Sequence, residues 1–175
     1  DARAKVARLI GPVEPADIVF TASGTESDNF AIKGAAHALK NKGRHIITSK
    51  IEHYAALHTC EFLAKEGYEV TYISVDEYGL IDIDALKKSI RHDTILISIM
   101  FANNEVGTIE PVKDIAAVAR EKGILFHTDA VQAVGHIPVD VKNLHVDFLS
   151  ASAHKFNGAK GTGILYKRVG LKLPS

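Results

Sequence analysis

Apolar residues along this chain fall into two alternating patterns. Short unbroken runs read as strands: Asp17 to Thr21, His45 to Thr48, Glu69 to Val75, Thr94 to Met100, Ile124 to Thr128, Val146 to Ala151 and Thr162 to Lys167. Between them, apolar residues recur at helical spacing. Asp1 to Ile10 carries Ala2, Val6, Leu9 and Ile10 and stops at Gly11-Pro12; Asn29 to Leu39 carries Ile32, Ala35, Ala36 and Leu39. Further helices are expected over Tyr54 to Lys65, over Ile83 to Ile90 behind Asp82, and over Pro111 to Glu121 with proline in its first turn. A short one is expected around Ala130 to Val134. Strands that do not alternate polar with apolar belong to a sheet covered on both faces. The pattern therefore predicts an α/β fold, a three-layer αβα sandwich around a mostly parallel sheet of about seven strands. The last two strands are joined by a short glycine-containing loop with no room for a crossover helix. One strand is therefore expected to run antiparallel.

Composition changes this picture little. The 175 residues suit one domain, and 21 basic residues cancel 21 acidic ones. That leaves no global charge to attract nucleic acid or an anionic membrane. No apolar run approaches the length of a membrane span, and the charged start Asp1-Ala2-Arg3-Ala4-Lys5 does not read as a secretory signal. The single cysteine, Cys60, cannot form an internal disulfide, which points to a reducing compartment and a cytoplasmic location. The absent initiator Met and the tail Leu171 to Ser175 suggest a piece of a longer chain, cut at a domain boundary.

In an open parallel sheet the ligand sits outside the carboxyl ends of the strands. The residues that follow each strand are therefore the candidates. Gly24-Thr25-Glu26 opens a helix whose free N–H groups could hold a phosphate, or is an ordinary turn with Thr25 or Ser27 as the N-cap. His53 could stack on a planar cofactor or shuttle protons, or simply cap the next helix. Asn103-Asn104-Glu105-Val106-Gly107-Thr108 offers amides for a ring oxygen or a substrate, or is a turn. Asp129, with Gln132 three residues on, could face one ligand, or simply cap the short helix that follows. A carboxylate beside a pyridine nitrogen keeps that nitrogen protonated and makes the ring an electron sink, the service rendered by pyridoxal phosphate. Lys155, in the small-residue stretch Ser150 to Gly163, is either a solvated loop lysine or a Schiff-base lysine.

Five segments together resemble one family. Thr21-Ala22-Ser23-Gly24-Thr25-Glu26-Ser27-Asp28-Asn29, Glu52-His53, Asn103-Asn104-Glu105-Val106-Gly107-Thr108, His127-Thr128-Asp129-Ala130-Val131-Gln132 and Ser150-Ala151-Ser152-Ala153-His154-Lys155 closely resemble cysteine desulfurases of the NifS/IscS type. These are aminotransferase class V members of fold type I. The resemblance implies that residues 1–175 form the pyridoxal-phosphate-binding large domain, without the N-terminal segment and the C-terminal small domain. It implies that Lys155 carries pyridoxal 5'-phosphate as a Schiff base and moves a proton between substrate and cofactor. His53 would stack on the ring and act in acid–base steps, and Asp129 would pair with the ring nitrogen. Gln132 and Asn104 would contact the ring oxygen or the substrate, and Gly24, Thr25, Ser152 and His154 would hold the phosphate. The implied reaction converts L-cysteine to L-alanine and leaves a persulfide on the enzyme, supplying sulfur to iron–sulfur cluster assembly. The implied partners are a second copy of the chain and a sulfur-acceptor or scaffold protein.

Two departures limit the carry-over. The family's sulfur-accepting cysteine loop lies beyond the last residue here, and Cys60 reads as a buried structural thiol in a helix. The turn after Lys155 reads Phe156-Asn157-Gly158-Ala159-Lys160, where the family usually carries a Tyr-Gly-Pro-Lys-like run. A selenocysteine lyase-like or other class V enzyme, or a truncated interaction module, are the alternatives. A metal site on His53, His58, His127 and Asp129 is disfavoured, because no ligand set with metal spacing appears.

Overall fold

The computed structural model describes residues 1–173; Pro174 and Ser175, at the tip of the tail read as a domain boundary, lie outside the described residues. Seven strands form one sheet: β1 (Ile18–Thr21), β2 (His45–Ser49), β3 (Glu69–Ile73), β4 (Thr94–Ser98), β5 (Leu125–Asp129), β6 (Phe148–Ser152) and β7 (Gly163–Lys167). Their spatial order is β1-β7-β6-β5-β4-β2-β3. All neighbours are parallel except that β7 runs antiparallel to both β6 and β1. The expected hairpin is thus present, and β7 has a second antiparallel partner that no local pattern announced.

The sandwich has two helical layers. α1 (Ala2–Ile10), α4 (Ile83–Ser89), α5 (Val112–Glu121) and α6 (Val141–Leu144) share a core with Ile47, Ile97, Phe126, Leu149 and Ile164. α2 (Gly24–Leu39) and α3 (Tyr54–Lys65) pack on the other face against Ile46, Leu96, Phe148 and Leu165. Successive strand residues thus bury themselves on opposite faces, as strands in a doubly covered sheet must. The α2 stripe Ala31, Ile32, Ala35 and Ala36 is fully buried, and its small residues let the helix approach the sheet closely. None of the helices among the described residues is long and apolar enough to cross a membrane.

Three expectations need correction. α2 begins at Gly24, five residues ahead of Asn29. Ser23 is its N-cap, taking the Glu26 N–H at 3.1 Å while the Glu26 carboxylate accepts from the Ala22 N–H. Thr25 and Ser27 are therefore inside the helix. Residues 130 to 134 form turns and not a helix: the Asp129 carboxylate takes the Val131 N–H at 2.9 Å, and Gly135 at φ 83° reverses the chain. α6, a single turn capped by the Asp140 side chain, is too short to give a periodic signal.

Gly163 sits between two strands. It pairs with Thr21 of β1 and with Ser152 of β6. A Cβ built there would overlap the Ser23 carbonyl and the Thr21 hydroxyl. Gly163→Ala must therefore push β7 away from the β1–α2 corner. The expected cost is about 1–3 kcal/mol of stability, read as a lowered urea midpoint.

Candidate active site

The carboxyl ends of β1, β2, β4, β5 and β6 surround one cavity of about 300 Å³. It is lined by Ser23, Gly24, Thr25, Asp28, His53, Met100, Ala102, Asn104, Asp129, Val131, Gln132, Ser152, His154 and Lys155. All nine residues singled out from the sequence are among them, although they lie on five separate segments.

The β1 corner supplies the anion-binding features. Ser23 uses its hydroxyl for the Glu26 N–H and its carbonyl for the Ser27 N–H. The Gly24 and Thr25 N–H groups open the helix and have no acceptor among the described residues, so they face the cavity mouth free. Gly24 is required by space: a Cβ would stand 2.7 Å from Val131 Cγ2 and 3.4 Å from Ser152 Cβ. Across the mouth, Ser152 Oγ and His154 Nδ1 are 3.0 Å apart. Free helix N–H groups, two hydroxyls and an imidazole make a donor set suited to a phosphate.

The floor carries two buried carboxyls. Asp129 ends β5, where its carbonyl accepts from Phe101 N–H at 2.8 Å and its Oδ1 from Val131 N–H at 2.9 Å. Asp28, one turn into α2, approaches it from above and is likewise buried. Burial raises both carboxyls to about 7; the nearby Asp28 adds to the rise at Asp129, whereas hydrogen bonds to Ser150 and Asp129 offset part of it at Asp28. His127 lies beneath them, fully buried, with Nδ1 2.8 Å from Ser98 Oγ and Nε2 3.0 Å from Ser150 Oγ. Burial pushes its imidazole down to about 4, so the ring is neutral. Both nitrogens are committed, which removes His127 from any metal-ligand set.

His53 caps α3, its Nδ1 accepting from Ala55 N–H at 3.1 Å. The proton of the neutral ring therefore belongs to Nε2. The loop that carries it is fixed from behind. Glu52 Oε1 accepts from Ser49 Oγ at 2.6 Å and from Met100 N–H at 3.0 Å, tying the end of β2 to the end of β4. Glu52 Oε2 is buried with no partner among the described residues, and burial pushes the carboxyl up to about 8. Of the Asn103-Asn104 pair, Asn103 is structural. Its amide donates to the Ile51 carbonyl at 2.9 Å, and its carbonyl accepts from Glu105 and Val106 N–H. Asn104 is left to face the cavity.

Lys155 lies in a 3-10 turn, Ala153–Phe156, that extends β6. His136 Nε2 donates to its carbonyl at 2.8 Å, and Phe156 packs over Gly135. The turns at residues 130 to 137, expected as a helix, thus hold the lysine's backbone. Sequence reasoning missed Asp28, Glu52 and His136 as parts of the site. Asp28 had a signal: it lies four residues before Ile32, on the apolar stripe of α2. Glu52 and His136 act through contacts between distant segments and had none. Cys60 is fully buried in α3, as expected, and burial pushes its thiol up to about 12.

The aminotransferase class-V family matches residues 1–173 of this chain. A protein named cysteine desulfurase IscS from Methanosarcina thermophila is 59% identical over 172 residues, 98% of this chain and 42% of the relative. Another of that name, from Dictyoglomus turgidum, is 60% identical over 99% of this chain and 44% of the relative. Among solved structures, a NifS-like protein superposes with a TM-score of 0.94 at 45% identity, covering 98% of this chain and 47% of its own. A structure described as SspA in complex with cysteine gives 0.92 at 44% identity, covering 96% and 48%. The chain thus spans less than half the length of these relatives.

The buried carboxyls set the pH dependence of stability. Up to about pH 7.5 the unfolded chain still binds protons at His127 and His45 that the folded rings, pushed down by burial, refuse, which opposes the carboxyls; above that only the carboxyls contribute. Their folded values are raised, so the folded chain keeps protons that the unfolded chain has released. Stability is therefore expected to fall as pH rises from about 7.5 to 8.5. Glu52→Gln removes one such proton and should make that slope shallower by up to about 1.4 kcal/mol per pH unit. Urea midpoints across this range check it; an unchanged slope would mean that Glu52 is already ionised.

Proposed function

This chain belongs to the aminotransferase class-V family, and on that premise we propose that it is the pyridoxal-phosphate-binding large domain of a cysteine desulfurase. One observation carries the reading. Free helix N–H groups, a histidine, a strand-end carboxylate and a lysine from five segments converge on one cavity of about 300 Å³. The names borne by the relatives support the choice of reaction.

The residues present fit that cofactor. Gly24 leaves open a cradle that a Cβ would fill, beside donors suited to a phosphate. The strand-end carboxyl of Asp129 faces the same space, where its ionised form would pair with a protonated pyridine nitrogen. When bound, pyridoxal phosphate would supply an electron sink for the carbon bearing the substrate's amino group. Lys155 would anchor it through Nζ and then hold or deliver the proton at the substrate carbon. Asp129 would keep a negative charge at the ring nitrogen. Gln132 and Asn104 would orient the ring oxygen and the substrate through their amides. Gly24, Thr25, Ser152 and His154 would bind the phosphate. His53 would cover the ring and exchange a proton at Nε2, since Nδ1 is occupied by the helix.

The proposed substrate is L-cysteine, which leaves as L-alanine while its sulfur passes to a protein thiol as a persulfide. Cys60 does not serve as that thiol, because it is buried and resists ionisation. The acceptor is therefore supplied from outside these 175 residues, and a sulfur-acceptor or scaffold protein would take the product onward to iron–sulfur cluster assembly. A homodimer is supported by Tyr54 and Phe62, exposed large rings on α3 beside the cavity mouth. A cytoplasmic setting is supported by the lone reduced thiol.

Added pyridoxal phosphate should give the chain the visible absorption band of a lysine-bound cofactor, and borohydride reduction should fix it on Lys155. Lys155→Ala should lose both signals. A folded wild-type chain without the band refutes the cofactor assignment. L-Cysteine with a reductant should yield no sulfide from the chain alone; sulfide release would refute the placement of the acceptor thiol elsewhere.

A further inference from the structure

A second cavity opens at the opposite edge of the sheet from the candidate active site. It has a volume of about 450 Å³ and lies where β5 and β6 begin and β7 ends. Arg120 reaches it from α5, Lys142 from α6, His145 from the turn behind α6, and Arg168 from just past β7. None of its lining residues belongs to the site described above.

The charges here are unbalanced, in a chain whose charges cancel overall. Arg120, Lys142 and Arg168 are fixed cations, and Asp147 is the one carboxylate among the lining residues. Asp147 is engaged on both oxygens: Oδ2 accepts from Phe126 N–H at 2.8 Å and Oδ1 from Arg168 Nε at 2.5 Å. That contact orients the Arg168 fork and leaves its Nη groups with no acceptor among the described residues. Arg120, Lys142 and His145 form no ion pair there. The neighbouring acids are committed or stand outside. Asp140 caps α6, Glu121 pairs with Lys122, and Asp17 approaches Tyr166 without lining the cavity. Basic residues offset the carbonyl ends of α5 and α6, which accounts for Arg120 and Lys142 but not for Arg168, which follows a strand. Buried Ala116, Ile124, Val141 and Val146 supply apolar walls, and Tyr166 adds a phenol.

Three cations against one carboxylate leave two positive charges, which a phosphomonoester dianion matches; the apolar walls match an uncharged body. We propose that this cavity is a second ligand site, for a small phosphomonoester with an apolar body. It is independent of the function proposed above, whose phosphate cradle lies at the other edge of the sheet.

Hexyl phosphate, titrated at about pH 7.5 into the isotope-labelled chain, tests it. The backbone amides of Gly123, His145 and Val169 should shift and saturate below about 10 mM. Arg120→Gln and Lys142→Gln should each keep the wild-type urea midpoint and bind about threefold more weakly, and the double variant about tenfold. Lys122→Gln, which removes a neighbouring cation outside the cavity, should bind as wild type. Inorganic phosphate should bind at least about tenfold more weakly than the ester, and hexanol should leave these amides unmoved. Unmoved amides, an equal loss in Lys122→Gln, or inorganic phosphate as tight as the ester overturns the proposal. Shifts confined to Gly24, Thr25 and Ser152 would support the other cradle and overturn this site. Phosphatidic acid vesicles test a lipid source: pelleting of the wild type but not of the double variant would assign the cavity to a membrane headgroup and overturn the soluble ligand.

Discussion

The site hangs on a backbone rung at Gly163. This residue lies opposite Thr21 of β1 on one side and Ser152 of β6 on the other, and only a hydrogen fits where its side chain would be. Because β7 runs antiparallel between them, β1 and β6 point the same way one strand apart. Their carboxyl ends therefore meet at one edge, which seats the Ser23–Gly24 corner against Ser152 and the lysine turn. A parallel strand in the place of β7 would need a crossover connection, for which the short segment between β6 and β7 has no room. The free N–H groups of α2 and the amine of Lys155 share a pocket because of this insertion.

The layer beneath the cavity is polar, and the fold keeps most of it uncharged. His127 is pressed down and Glu52 pressed up, each toward its neutral form, by the same desolvation. Thr48, Ser98 and Ser150 supply hydroxyls that satisfy the ring and the strand ends without adding charge. Unpaired ions would cost several kcal/mol each in such a place. The layer thus binds the strand ends to one another while adding little charge beneath the pocket. Glu52 is the mechanical link: one buried carboxyl spans from the β2 end to the β4 end, so His53 and Met100 keep a fixed separation.

Much of this was legible in the chain, for identifiable reasons. Tyr54 to Lys65 was bounded correctly because His53 and Gly67 punctuate it. The strands were legible because burial on both faces leaves runs without polar interruption. The location of the site followed from the rule that ligands sit at strand carboxyl ends. The start of α2 was misread although Ser23 and Glu26 form a capping pair, since Gly-Thr-Glu-Ser also suits a turn. The stretch after Asp129 was misread because its one turn, closed by Val134 N–H on the Ala130 carbonyl, is ended at once by Gly135 at φ 83°. Strand order and the clasp of His136 on Lys155 arise between distant segments, and no local pattern encodes them.

The Gly163 rung also dictates when the pocket can exist. Thr21 lies in the first strand and Gly163 in the last, so their pairing closes a long loop and carries a large closure cost. On a ribosome, the helix N-terminus, the histidine and the aspartate emerge well before the lysine and the closing strand. A nascent chain that stops short of β7 holds most of the ligand-binding groups and no chamber to gather them. The chamber therefore forms only once β7 has been made and paired.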